Sequence, residues 1–255
     1  MMPKTAAPGE DGALRASALG HLAVALAATA AAAVALSAIL GLGGAYVAAS
    51  LAIAAAGAVA VLRHLPGRHP HARFGPANAV TLARAVPIVL VAGLALVPAS
   101  WAVAAFAVIA GILAAVLDGL DGRLARRHGV ESAFGARFDM EADSLLVMAL
   151  AVLAWRWDRA GAWVLLSGLM RYLFVAAGWL APWLRRRLPP RRRRQVVCVV
   201  QIVVLLAVVA PLLPAAASAP LALAGLLVLA GSFAADVAWL ARRARTPLEE
   251  EVYRC

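Results

Sequence analysis

Four aspartates lie close together in a chain that contains few acids. They occur in the stretch "LDGLDGRLARRHGVESAFGARFDMEADSL", residues 117–145, as Asp118, Asp121, Asp139 and Asp143. Converging carboxylates repel one another unless a cation neutralises them. An oxygen-only set of ligands suits Mg²⁺ or Mn²⁺, and Mg²⁺ commonly binds carboxylates together with the phosphates of a substrate. The stretch therefore predicts a divalent-metal site for a molecule that carries phosphate.

Helical spacing groups these acids with small residues on two helix faces. The first face has the spacing i, i+3, i+4 and i+7 and comprises Asp118, Asp121, Gly122 and Ala125. The second face has a four-residue repeat and comprises Gly135, Asp139 and Asp143. The small residues leave room beside the carboxylates, and Arg126 could hold a phosphate through charge-assisted hydrogen bonds. Two antiparallel helices are therefore expected to direct their carboxylates into one volume.

The composition of the chain determines the surroundings of these acids. The 255-residue chain is 64% hydrophobic and only 15% charged, and its mean hydropathy is +0.86. Its apolar runs of about 20 residues match the length that a helix needs to cross a ~30 Å hydrocarbon core. They are rich in alanine, leucine and valine and lack the alternation of a barrel strand. The sequence therefore predicts an all-α integral membrane protein.

Eight transmembrane helices are expected between the polar segments. They are residues 17–40, 44–62, 78–97, 101–121, 136–155, 161–182, 195–214 and 219–240. The predicted organisation is a tail at 1–16, two additional helices at 17–62, a linker at 63–77, a six-helix core at 78–241 and a second tail at 242–255.

Arginine-rich loops determine the expected orientation. Basic loops alternate with nearly uncharged ones along the chain, and Lys and Arg in short loops favour the cytoplasmic side. Both termini, the linker and the aspartate stretch are therefore expected on the cytoplasmic face of the cell's inner membrane. This topology and the attraction of anionic lipid headgroups explain the net charge of +11. Membrane lipid is thus the expected surrounding partner, and nucleic acid is not expected as a partner.

A plainer interpretation of the acids is that they lie at a wet membrane surface and pair with neighbouring arginines. It suits Asp118 and Asp121 better than Asp143. The latter lies about two turns inside the fifth apolar run, where an ionised group is costly and normally functional.

The same residues resemble the signature of a known family. Their pattern, Asp-x2-Asp-Gly-x2-Ala-Arg-x8-Gly-x3-Asp-x3-Asp, fills all eight fixed positions of the CDP-alcohol phosphatidyltransferase (CDP-alcohol phosphotransferase) motif over residues 118–143. A second match, "ANAVTLARAVP", is similar to the Pro-Asn-x-x-Thr-x-x-Arg opening of that family's first core helix and supplies Asn78, Thr81 and Arg84. The resemblance extends from about residue 76 to residue 241, so the first two helices precede it.

The resemblance implies a role for each matched residue. Asp118, Asp121, Asp139 and Asp143 would hold one or two divalent ions at the pyrophosphate of a CDP-linked lipid such as CDP-diacylglycerol, and Asp143 would also be the catalytic base. The residues that would line the cytidine and phosphate pocket are Asn78, Thr81, Gly122, Ala125, Arg126 and Gly135. An alcohol hydroxyl would attack the β-phosphorus and CMP would leave, as a step of phospholipid biosynthesis. A homodimer is a further expectation from the resemblance.

The acceptor alcohol stays open at this stage. Relatives that use glycerol phosphate commonly have Asp-Pro-x-Ala-Asp-Lys where this chain has "DMEADS". Arg171 is a charge in the middle of an apolar segment, which is normally functional. Together with Arg191 and Arg192 it could bind a phosphate on a phosphorylated alcohol. Arg171 could equally form a structural ion pair or extend its head to the membrane surface.

Two other classes of protein also use acids in membranes. A prenyltransferase-like enzyme with an aspartate-bound metal would favour differently spaced aspartate pairs, usually in two copies. A non-enzymatic protein that binds ions or lipids would not need glycine, alanine and arginine at matched spacing. The predicted function is therefore a metal-dependent CDP-alcohol phosphatidyltransferase, with these two classes as alternatives.

Overall fold

The part of the protein that the structure describes consists almost entirely of helices. The computed structural model describes residues 10–65, 74–128, 133–186 and 192–245. The α-helices in these ranges are α1 Glu10–Leu40, α2 Gly44–His64, α3 Pro76–Gly93, α4 Trp101–His128, α5 Ala133–Arg156, α6 Leu166–Leu180, α7 Arg192–Val209 and α8 Ala215–Arg245. Short 3-10 helices occupy Leu94–Leu96, Ala162–Leu165 and Pro182–Arg185, and the described ranges contain no strand.

Six helices in the described ranges are long and apolar enough to cross a membrane. They lie in α1, α2, α3, α4, the segment Ala162–Leu180 and α8. The all-α membrane prediction is confirmed, but the prediction of eight spans is not. Helix α5 carries Asp139, Glu141 and Asp143 in its first half, and α7 begins with three arginines and ends at Val209. Charge and short apolar length distinguish these two helices from the other six.

Helix α3 lies at the centre of the bundle. It packs against α1, α2, α4 and α5, while α7 packs against α4, α5 and α8. The core between these helices consists of aliphatic and alanine side chains, including Ile88, Val91, Ala107, Ala114, Leu150 and Leu205. Three of the apolar helices and the charged helix α5 therefore surround α3.

The end of the bundle where α3 and α5 finish is stabilised by bonds to backbone carbonyls. Arg156 donates to the carbonyl of Ala95 at 3.2 Å, and the indole of Trp157 donates to Val97 at 3.0 Å. Arg159 donates to the carbonyl of Leu213 at 2.8 Å. Arg156 and Arg159 are thus exceptions among the otherwise nearly uncharged loops. Both stabilise the end of the bundle opposite Asp118, Asp139 and Asp143.

Helices α1 and α2 form a second, smaller core with Phe74, α3 and the start of α5. Phe74 and Phe134 lie in this core with buried residues of α1 and α2, and their rings meet edge to face at 6.3 Å. The backbone N–H of Phe74 donates to the hydroxyl of Ser17 on α1 at 3.4 Å. The two N-terminal helices therefore pack beside Phe74, which precedes α3, and beside the first turn of α5.

A glycine allows the close approach of α5 and α6. A Cβ added to Gly168 would lie 2.7 Å from the Cα of Met148, whereas a Cβ at Gly231 on α8 would meet nothing within 4 Å. We expect Gly168→Ala to lower the free energy of unfolding by about 1–3 kcal/mol, because overpacking forces the two helices apart. The matched control Gly231→Ala should be neutral or slightly stabilising. Thermal unfolding in detergent measures both, and equal effects would contradict this account of the α5–α6 contact.

Candidate active site

The candidate site lies where α3 and α5 begin and α4 approaches its end. Arg84 lies in the third turn of α3, and Asp118 lies about three turns before the end of α4. Asp139 and Asp143 are one turn apart near the start of α5. Because residues four apart share a helix face, both α5 acids point towards the same neighbours. Helix α3 packs against both α4 and α5, and this brings Asp118 to the same place.

Three carboxylates converge at this end of the bundle. One oxygen each from Asp118, Asp139 and Asp143 lies within 4.8 Å of the others. Their side chains are between about one quarter and two fifths exposed, at 35%, 39% and 26%. The carboxylate cluster, as we call these three side chains, is therefore accessible to a ligand although it lies among membrane helices.

A single buried arginine holds the carboxylate cluster together. Arg84 is 1% exposed, and its Nη1 donates to Oδ1 of Asp118 and to Oδ1 of Asp139, the latter at 2.6 Å. Its Nη2 donates to Oδ1 of Asp143 at 2.6 Å and to the backbone carbonyl of Asp139 at 3.4 Å. The guanidinium thus contacts one oxygen of every carboxylate in the cluster.

The chemistry of the carboxylate cluster fits a hard divalent cation. Its three carboxylates and the guanidinium of Arg84 together leave a net formal charge of −2, which one divalent ion balances. The atoms that could bind a metal are all carboxylate oxygens, the ligands that Mg²⁺ and Mn²⁺ prefer. The observed convergence therefore provides the geometry that the spacing of the aspartates predicts.

The other predicted site residues fall into two groups. Asn78 and Thr81 are buried on the first turns of α3, and the Asn78 amide donates to the carbonyl of Phe74. Gly135 lies in the first turn of α5, and Arg192 is exposed at the start of α7. The side chains of Asp121, Gly122, Ala125 and Arg126 in α4 lie outside the part of the structure that is described, as does Arg191. The backbone of α4 places Asp121 one turn beyond Asp118.

Arg171 on α6 is bound to the helix that carries two of the acids. Its guanidinium donates to Glu141 at 2.7 Å, to the hydroxyl of Ser144 at 2.9 Å and to the carbonyl of Met140 at 2.9 Å. The hydroxyl of Tyr172 donates to the other oxygen of Glu141 at 3.1 Å. The structural ion pair, one of the three interpretations of Arg171, is therefore present.

The sequence alone assigns no individual role to Arg84 or Cys198. The sequence places Arg84 in the Pro-Asn-x-x-Thr-x-x-Arg motif and indicates no further role. A lone arginine inside an apolar helix is nevertheless itself a signal of function. Cys198 lies on α7, which packs against α4 and α5. No spacing rule connects α7 with α4 and α5, so only the folded structure places Cys198 here.

The fold and the site define a class of protein: a helical membrane protein with a cluster of three carboxylates whose chemistry suits a divalent cation. Comparison with protein families then gives a match to the model described as CDP-alcohol phosphatidyltransferase over residues 74–234. The chain belongs to the CDP-alcohol phosphatidyltransferase family, and so to a family of transferases. The matched region begins at Phe74 and contains the whole carboxylate cluster, while α1 and α2 precede it. The comparisons with curated proteins and with solved structures gave no match.

Proposed function

We propose that this protein transfers a phosphatidyl group from a CDP-linked lipid, such as CDP-diacylglycerol, to an alcohol and releases CMP. The observation that carries the proposal is the convergence of Asp118, Asp139 and Asp143 within 4.8 Å in a member of this family. A phosphatidyl donor is membrane lipid, so an acidic site between membrane helices suits it. The reaction would be a step in phospholipid biosynthesis.

The carboxylate cluster, with Asp121 one turn further along α4, is the proposed binding site for Mg²⁺ or Mn²⁺. Such a cation, when bound, neutralises the diphosphate and polarises its oxygens. The chain's own contribution is to fix the carboxylates, two of them on the rigid helix α5 and one on α4. Fixed carboxylates cost no reorganisation during the reaction, which is the usual source of electrostatic catalysis.

Asp143 is the proposed general base. Its carboxylate takes the proton of the alcohol hydroxyl while the hydroxyl oxygen forms a bond to the β-phosphorus. The bond from that phosphorus to the bridging oxygen breaks, and CMP leaves with this oxygen. The side chain of Asp143 is 26% exposed. An acceptor can therefore approach this carboxylate from the open side of the cluster.

The nucleotide pocket is proposed to lie beside the cluster, on the same helix faces. Gly122, Ala125 and Gly135 would leave space for the cytidine, and Arg126 would bind a phosphate. Asn78 and Thr81 are buried at the start of α3, where they would close one side of the pocket. The bond from Asn78 to the carbonyl of Phe74 fixes the first turn of α3 next to that pocket.

The acceptor is proposed to be a small alcohol or a phosphorylated alcohol, bound by Arg171, Arg191 and Arg192. We expect Arg171→Gln to raise the KM for a phosphorylated acceptor about 10- to 100-fold, because a hydrogen bond to a charged group contributes roughly 1.5–3 kcal/mol. Steady-state kinetics with the acceptor varied provide the measurement. The control Tyr172→Phe removes a second bond to Glu141 but keeps the arginine charge. Lower thermal stability at an unchanged KM would assign Arg171 a structural role alone.

The site and both termini are proposed to face the cytoplasm from the inner membrane, where CDP-linked lipid and soluble alcohols meet. Arg186 and Arg193 lie near the same end of the bundle and bond to α8, at the carbonyl of Arg243 and at Asp236 respectively. This clustering of arginine supports the orientation. A homodimer is also proposed, on the basis of family membership.

The test of the proposed function is release of CMP by the purified protein in lipid nanodiscs. Labelled CDP-diacylglycerol, Mg²⁺ and a series of alcohols and phosphorylated alcohols are supplied, and CMP and the lipid product are measured together. We expect CMP to appear only with Mg²⁺ or Mn²⁺ and with a subset of the alcohols. Absence of CMP with every acceptor and metal, in a folded protein, would contradict the proposal.

A further inference from the structure

The position of Arg84 has a consequence for metal binding at the carboxylate cluster. Its Nη1 lies between Oδ1 of Asp118 and Oδ1 of Asp139, and its Nη2 contacts Oδ1 of Asp143. One guanidinium therefore bridges all three carboxylates from the side of α3. A side chain of the protein itself therefore supplies a positive charge where a bound cation would contact the carboxylates.

Electrostatics explains why such a cation is needed. Three carboxylates whose oxygens lie within 4.8 Å repel one another strongly, and burial among helices strengthens the repulsion. The guanidinium of Arg84 is 1% exposed and offers a planar fork of donors that matches carboxylate oxygens. Its hydrogen bonds to all three carboxylates thus favour the close approach of Asp118, Asp139 and Asp143.

The same charge opposes a second cation. A metal ion that binds these carboxylates comes within a few ångströms of a guanidinium that is already hydrogen-bonded to them. Like charges at such a distance repel, and both are attracted by the negative charge of the same three carboxylates. Arg84 therefore has two opposite effects, since it gathers the ligands but weakens the attraction that they exert on a metal.

We propose that Arg84 is an internal counter-cation of the carboxylate cluster, a positioning residue that maintains the metal-free site and lowers its affinity for divalent metal. The inference rests on the proposed function in one respect, namely that the cluster binds a divalent ion. The inference adds that this ion binds close to the positive charge of Arg84, which repels it. Metal binding and the hydrogen bonds of Arg84 to the cluster are therefore antagonistic.

Mn²⁺ binding measured by electron paramagnetic resonance tests this antagonism without an activity assay. Wild type, Arg84→Gln and Arg84→Lys are titrated in nanodiscs at pH 8 without substrate, together with thermal unfolding in EDTA. We expect Arg84→Gln to bind Mn²⁺ roughly tenfold tighter or more, because a unit positive charge near the ion is removed. The same variant should unfold at a lower temperature in EDTA and recover most of the loss with Mn²⁺. Arg84→Lys, which keeps the charge, should bind Mn²⁺ with nearly wild-type affinity.

A matched control is Arg193→Gln, which removes an arginine paired with Asp236 rather than with the carboxylate cluster. Its Mn²⁺ affinity should equal that of wild type. Equal or weaker Mn²⁺ binding by a folded Arg84→Gln protein would overturn the inference and leave the proposed function standing. No Mn²⁺ binding by wild type would instead remove the proposed metal site itself.

Infrared difference spectra of the wild type give the same test without an Arg84→Gln variant. Protein with ¹⁵N-labelled arginine is compared before and after addition of Mg²⁺, with Arg84→Lys as the reference that lacks this guanidinium. We expect a guanidinium band to shift on metal addition in wild type and to be absent from the Arg84→Lys difference spectrum. An unchanged guanidinium band in wild type would overturn the inference.

Discussion

Replacement of Asp143 by asparagine should leave a folded protein that binds CDP-lipid and metal but transfers almost no phosphatidyl group. The amide keeps an oxygen that can contact a cation, yet it cannot accept the proton of the alcohol. Loss of a general base typically lowers the rate about 10²- to 10⁴-fold. We expect a fall of this size in kcat, measured as CMP release at saturating donor and acceptor.

Metal titration separates the two roles of Asp143. If the residue is the base, raised Mg²⁺ or Mn²⁺ will not restore the turnover of Asp143→Asn. The matched control Glu141→Gln changes an acid two residues away on α5, which pairs with Arg171 rather than with Arg84. Recovery of near wild-type turnover by metal alone would show that Asp143 is only a ligand and that another group is the base.

Asp139→Asn should instead give an enzyme whose activity depends on the metal concentration. The change removes one negative charge from a cluster whose net formal charge is −2 together with Arg84. Weaker attraction for a divalent ion lowers occupancy, so we expect activity at low Mg²⁺ to fall at least about tenfold. High Mg²⁺ or Mn²⁺ should recover a substantial part of it, and Asp118→Asn should behave alike.

The dependence of CMP release on metal concentration provides the measurement. The predicted result is a curve shifted to higher concentration for Asp139→Asn, with a maximum that approaches that of wild type. An unshifted curve with a lower maximum would mean that Asp139 acts in the chemical step rather than in metal binding. Asp139 would then be assigned to the chemical step and Asp143 to metal binding.

The helices and the acids of this site could be predicted from the sequence because their signals are local. Apolar length predicted the helical segments, and the four-residue spacing of Asp139 and Asp143 predicted their common face. The expected eight spans exceed the six found in the described ranges for a physical reason. The acids of α5 and the arginines that begin α7 reduce the apolar length of these helices, so hydropathy alone does not establish that they cross the membrane.

The pairing of Arg84 could not be predicted, because it depends on how distant helices pack. Its partners Asp118 and Asp143 lie 34 and 59 residues further along the chain. Spacing within α3 gives the direction of the side chain but not what it meets. The contact of Ser17 with Phe74 is similar, since nothing in the sequence of α1 indicates that it packs beside the start of α3.

The most direct test of the central claim is ³¹P nuclear relaxation of a short-chain CDP-diacylglycerol bound to the protein with Mn²⁺. A paramagnetic ion in the carboxylate cluster should accelerate the relaxation of both phosphorus nuclei of the diphosphate. The account predicts strong acceleration with wild type and a large loss with the combined Asp118→Asn, Asp139→Asn and Asp143→Asn variant, measured at the same Mn²⁺ and lipid concentrations. Equal acceleration in the two samples would contradict the claim that these three carboxylates hold the metal at the substrate's diphosphate.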